Sequence, residues 1–291
     1  MHRYHRLGEL PKKRHMALRK PDGGVYYEEL KGNKGFVGPS SLLYHLHRPT
    51  AVVEAKLLRE VKLEEDPDKR LRMRHFFTDK LVRGGSPTMD RVPMLFNNDV
   101  TLWMAFPDRE DDFYYRNAQG DEIIYVSDGS GTLETAFGEL AYSQGDYLVI
   151  PRGILHRYRL GKDKQRFFIT ESKGEVRTPK RYRNEYGQLI ERSPFSERDW
   201  RVPENLQAVD KKEPAVIVVK QRDLLTEVTL DHHPCDVVGW DGYYYPYAFS
   251  IHDFEPIVGR YHEPPPVHQT FQGDNFVLCS FCPRPYDFGD D

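Results

Sequence analysis

Between residues 99 and 175, apolar and polar side chains alternate in short runs. Ile123 with Tyr125, Leu133 with Thr135 and Phe137, and Tyr147 with Val149 each fall on one side of an extended segment. Successive side chains of a strand point to opposite faces, so this period of two predicts strands with one buried face. Glycines separate the runs where tight turns would fall. The pattern predicts strands over 100–106, 113–116, 122–126, 132–137, 139–142, 147–150, 157–160 and 166–171. That is enough for one closed barrel.

A second sheet-like region begins near Pro214. AVIVVK (215–220) and LTEVTL (225–230) predict two strands separated by Gln221-Arg222-Asp223. AVVEAKLLREVKL (51–63) admits a helix, but Val52, Val53 and Val61 favour an extended edge segment. The charge run EEDPDKRLRMR (64–74) predicts a solvated loop, and Gly84-Gly85-Ser86-Pro87 a flexible break. From 176 to 203 neither period persists. Tyr182, Tyr186, Phe195 and Trp200 favour burial, so an ordered excursion is expected there, covering an entrance or meeting another subunit.

The 291 residues suffice for one large or two ordinary domains. Net charge is -3, from 42 basic and 45 acidic residues, so no pole of charge points to nucleic acid or a membrane surface. No apolar run approaches the length of a membrane span, which predicts a soluble, cytoplasmic protein. Eighteen tyrosines and 16 phenylalanines suit a sheet-rich core. Cys279 and Cys282 form C-x-x-C with no second pair, so buried reduced thiols are expected rather than zinc or redox chemistry. His45 and His47 would share one face of a strand. They admit a metal site, but packing or a subunit contact is preferred.

Glu122 is followed by six residues and Gly129. Gly145 is followed by five residues, Pro151-Arg152-Gly153, two more, and His156. This spacing resembles the two motifs of the cupin family. Metal-binding cupins place an H-x-H pair four residues before the glutamate; here those positions are Tyr115 and Asn117. Glu122 and His156 alone are too few for a mononuclear site. A barrel kept for structure is the preferred reading, with a weakened metal site at Glu122 and His156 as the alternative.

The run Gly239-Trp240-x-Gly242-x-x-x-Pro246-Tyr247, the segment Ile251-x-Asp253-Phe254-x-Pro256-Ile257-x-Gly259-Arg260, His262 before three prolines, and RKPDGGVYYEEL (19–30) resemble homogentisate 1,2-dioxygenases. The resemblance covers nearly the whole chain and looks nearest to the short bacterial branch. It implies an all-β fold: a double-stranded β-helix (cupin, or jelly roll) with a second, incomplete cupin barrel. The expected division is an N-terminal region (1–98), a first barrel (99–175), a connecting excursion (176–213) and the first half of a second barrel (214–291).

The resemblance also implies an Fe(II)- and O2-dependent cleavage of the homogentisate ring to maleylacetoacetate, in tyrosine and phenylalanine catabolism. In such enzymes two histidines and a glutamate hold the iron. No such set is found here at family spacing. The ligands are therefore expected beyond Asp291, in a chain shortened before them. His262 matches the family's acid/base histidine, with His268 as the alternative, and Tyr243, Tyr244 and Tyr245 as pocket or core residues. A small aromatic substrate and a homo-oligomer, trimer or hexamer, are implied as well. Two other functions stand beside this one. One is a metal-free cupin that binds a small aromatic acid or serves as a structural module. The other is a cupin isomerase or sugar binder, which Tyr115 and Asn117 disfavour.

Overall fold

The computed structural model describes residues 3–256 and 268–283. Four strands lie N-terminal to the barrel: β1 (His5–Gly8), β2 (Tyr27–Gly32), β3 (Ser40–His45) and β4 (Val52–Glu60). Nine follow in close succession. They are β5 (Val92–Phe96), β6 (Val100–Ala105), β7 (Tyr114–Asn117), β8 (Asp121–Asp128), β9 (Gly131–Thr135), β10 (Gly138–Tyr142), β11 (Asp146–Ile150), β12 (His156–Leu160) and β13 (Arg166–Ser172). After the excursion come β14 (Trp200–Arg201), β15 (Ala215–Gln221), β16 (Leu224–Leu230), β17 (Val237–Gly242) and β18 (Tyr247–Ser250). The hairpin β19 (Gln269–Gln272) and β20 (Val277–Cys279) completes the described residues.

Two seven-stranded sheets dominate. One runs β10-β9-β12-β7-β15-β16-β4 and the other β14-β18-β11-β8-β13-β6-β5. Strands 6 to 13 divide evenly between them and pair with one another antiparallel, which is the cupin jelly roll. The segment from 214 to 250, set apart in the sequence as the start of a second barrel, supplies strands to both sheets. β15 pairs in parallel with β7, and β18 extends the other sheet beyond β11. β4 is an extended edge strand against β16, with all nine residues exposed. A separate four-stranded sheet runs β1-β17-β3-β2.

The motif glycines have a local cause. Gly129 and Gly145 adopt φ of 101° and 90°, in the left-handed region that suits glycine, at the turns after β8 and before β11. In the strands that these turns join, Ile123, Leu133 and Val149 are buried, as the alternation requires. One departure is instructive. All five residues of β11 are buried, on both faces. On the outer face Tyr147 packs against Phe271 and its hydroxyl meets that of Ser280, while Tyr182, Phe195 and Trp200 of the excursion pack against one another and against Tyr247 and Phe249 of neighbouring β18. Tyr186 was expected among these but is 80% exposed, at the tip of a turn.

Candidate functional site

The pairing of β13 with β8 sets Glu171 directly beside Glu122, both on the face turned toward the opposite sheet. Like charges opposite one another on a sheet repel, so this pair needs compensation. Asn117 bridges them. Its Nδ2 donates to Glu122 Oε1 at 3.2 Å and to Glu171 Oε1 at 2.8 Å. Its Oδ1 accepts from the Gln119 and Gly120 backbone N–H groups, which fixes the orientation of the amide. Lys220, beside Asn117 through the parallel pairing, donates to both oxygens of Glu171. Trp103 Nε1 donates to the same carboxylate at 3.0 Å.

Glu122 has its own cation. Arg91 Nη1 lies 2.9 Å from Glu122 Oε2, with the two side chains 6% and 1% exposed. Tyr115 Oη donates to Glu122 Oε1 at 3.3 Å, and the guanidinium lies 5.4 Å from the Tyr115 ring centroid. Arg91 Nε donates to the Pro87 carbonyl at 2.9 Å. The Gly84–Pro87 stretch, expected to be a flexible break, is in fact pinned. The Gly85 N–H donates to Asp108 and the Ser86 N–H to Asp90, while the Ser86 and Thr88 hydroxyls both donate to buried Asp111. These bonds hold the chain that delivers Arg91 into the barrel.

The charge states follow from the surroundings. Burial alone would raise the Glu122 pKa, but the Arg91 charge, joined by Lys220 and the Asn117 hydrogen bond, outweighs it, and the carboxyl sits below its usual range. Burial brings His156 down to about 4 against the opposing pull of Glu122, so its imidazole is neutral. His156 Nδ1 is 3.1 Å from the Ile154 carbonyl and donates to it. The lone pair therefore resides on Nε2, a buried atom with no hydrogen-bond partner. This is the tautomer of a metal-ligating histidine. Yet the set does not fit Fe(II). Two ligand-type residues remain, and the carboxylate is already paired with a guanidinium. Among the described residues, no group of three or more His, Cys, Asp or Glu side chains could hold a metal ion.

A cavity of about 560 Å³ opens over this network. Its wall includes Trp103, Asn117, Glu171, Lys220, Arg152 and Val61. The volume is in the range of small-molecule sites. Of the residues that build the network, Arg91, Trp103, Glu171 and Lys220 were missed in the sequence. Lys220 carried a weak signal, since it sits in phase with buried Val218 in an apolar run. Arg91 carried none.

The remaining candidates are dispersed. His262 lies outside the described residues. His268 is buried just before β19, its ring 4.8 Å from that of Phe281, and its carbonyl accepts from the Ser280 N–H. His45 and His47 turn to different carboxylates. His45 Nδ1 is 2.7 Å from Asp236 Oδ1, and His47 Nε2 is 2.9 Å from Asp210 Oδ1. Cys235 is buried, whereas Cys279 and Cys282 are only partly so, and none of the three is in a disulfide. Tyr244 and Tyr245 belong to the core and Tyr243 is at the surface.

Residues 96–251 match the family model described as homogentisate 1,2-dioxygenase N-terminal. "Putative dioxygenase SSO1533" of Saccharolobus solfataricus is 42% identical over 98% of this chain and 73% of its own length. The homogentisate 1,2-dioxygenase of Bradyrhizobium diazoefficiens is 31% identical over 54% of this chain, and that match spans 34% of the enzyme. Among solved structures, a cupin-2 domain protein of Shewanella frigidimarina matches 29% of the chain at 19% identity, with a TM-score of 0.26. No helix among the described residues is long and apolar enough to cross a membrane. By the match over residues 96–251 and the near full-length kinship with SSO1533, this chain belongs to the homogentisate 1,2-dioxygenase family.

Proposed function

We propose that the protein cleaves the ring of homogentisate or a closely related diphenolic acid, using Fe(II) and O2. The observation that supports this most is the kinship over 98% of the chain with "Putative dioxygenase SSO1533", joined to the family match over residues 96–251. In this reading the first barrel is a scaffold. Its interior cation is a guanidinium and its histidine is neutral, so the iron is held by residues outside those described. His262 takes and returns the proton of a substrate hydroxyl, a task that suits an imidazole near neutral pH. His268, buried just before β19, is the alternative. The active protein is a cytoplasmic homo-oligomer, a trimer or hexamer, and homogentisate reaches it from tyrosine and phenylalanine breakdown.

The test is an oxygen-electrode assay on the protein produced from its natural gene and supplied with Fe(II). O2 uptake that depends on homogentisate and stops on chelation is expected. No uptake with homogentisate, gentisate or other diphenols would overturn the proposal. The described residues also give weight to a second reading, a metal-free module for a small aromatic acid, because they contain no three-residue ligand group. Calorimetric binding of homogentisate without any O2 uptake would establish that reading instead.

A further inference from the structure

We infer that the Arg91 guanidinium is the resident cation of the first barrel, so that a framework suited to ligating a metal ion instead ligates a carboxylate. Around a metal ion, lone pairs converge on a positive centre. Here hydrogen-bond donors converge on a negative one. Arg91, Tyr115 and Asn117 all reach Glu122, and two of them occupy the positions of an H-x-H pair. The other half of a metal site is retained. His156 still donates Nδ1–H to the Ile154 carbonyl and keeps its Nε2 lone pair, unpartnered, in the same interior. A second cation beside Arg91 would meet its charge at close range in a low-dielectric interior. The substitution is built rather than incidental, because the pinned 84–90 segment fixes Arg91 through Pro87 and Asp111. This inference concerns the first barrel alone and does not depend on the proposed substrate.

Two experiments test it. The first is a double-mutant cycle in thermal unfolding at pH 7 with Arg91→Met, Glu122→Gln and the pair together. Each single change leaves a buried partner without its complement, and the midpoint should fall by roughly 10 °C. The double variant should regain more than half of the summed loss. Simple additivity would overturn the inference. The second uses Co(II), read by its visible absorption. Tyr115→His with Asn117→His should take up no Co(II) while Arg91 is present, and should bind it stoichiometrically once Arg91→Ala is added. Binding with Arg91 in place, or a folded triple variant that takes up none, would each overturn the inference. If the triple variant does not fold, the cycle decides alone.

Discussion

His45 provides the most exposed test of the electrostatics described above. Its Nδ1 sits 2.7 Å from Asp236 Oδ1, a fully buried carboxylate that also accepts the His47 backbone N–H at 2.7 Å. Its Nε2 lies 3.3 Å from Glu29 Oε2, and Glu29 is bridged in turn by Lys31. His232 Nε2 faces Asp236 at 3.9 Å, and Arg116 lines the same small cavity. Burial would lower the His45 pKa, but the bonds to Asp236 and Glu29 outweigh it and raise the value. Burial likewise opposes ionisation of Glu29, yet His45 and Lys31 bring that group down to about 2.

The sign for His45 follows from linkage. A group whose folded-state pKa is raised contributes stability in full below its unfolded value, about 6.5, and loses it as pH rises through the folded value. The perturbation is His45→Gln, which removes the charge and keeps a polar side chain. Breaking a buried pair costs about 3–5 kcal/mol, a large share of a total near 5–15 kcal/mol. At this chain size that is a shift of roughly 6–20 °C in midpoint. Urea and thermal unfolding at pH 5.5, 7 and 8.5 supply the assay. The natural protein should lose stability as pH rises from 6.5 upward. The variant should be less stable at pH 5.5 and should lose that slope. A variant with the natural slope would refute the assignment of the charge to His45.

Three further outcomes are expected. His262→Phe should keep the fold and lower kcat by roughly 10²–10⁴-fold, with a shifted pH–rate profile; near-normal turnover beside an inactive His268→Phe would move the role to His268. Trp240→Ala removes a fully buried side chain whose Nε1 donates to the Phe137 carbonyl, and should cost about 3–5 kcal/mol in urea unfolding. Gly239→Ala should destabilise β17 strongly in the same assay, because the added Cβ would lie 2.0 Å from the Glu9 carbonyl oxygen, a backbone atom that cannot swing aside.

The barrel was legible because its signals are local. Glu122, Gly129, Gly145 and His156 stand at spacings set by strand length and turn geometry, and β6 to β13 fall within two residues of the boundaries that the alternation predicts. The partners across the fold were not legible. Nothing near Arg91 marks it as the counter-ion of Glu122, because the charge arrives from a loop outside the motif. Asp236 meets His45 across 191 residues, and periodicity carries no information about such a pairing. The same limit explains the 215–230 hairpin. Its strands were clear, but alternation assigns a residue to a face and not a strand to a neighbour. Tyr186 shows the converse error, since an aromatic ring in a turn need not be buried.

The position of β15, β16 and β4 in one sheet has a consequence for how the chain is made. β4 leaves the ribosome early, with nine exposed residues, and its partner β16 ends only at Leu230. β7 likewise waits for β15, and β11 waits for β18. For much of synthesis the nascent sheets therefore present open edges, the form in which strands pair with the wrong chain. β4 carries Glu54, Lys56, Arg59 and Glu60 among its valines and leucines, a distribution of charge that discourages such pairing. Elongation slowed just short of Leu230 would prolong the interval in which β4 lacks its partner, and the edge at β11 closes only once β18 has followed, at Ser250.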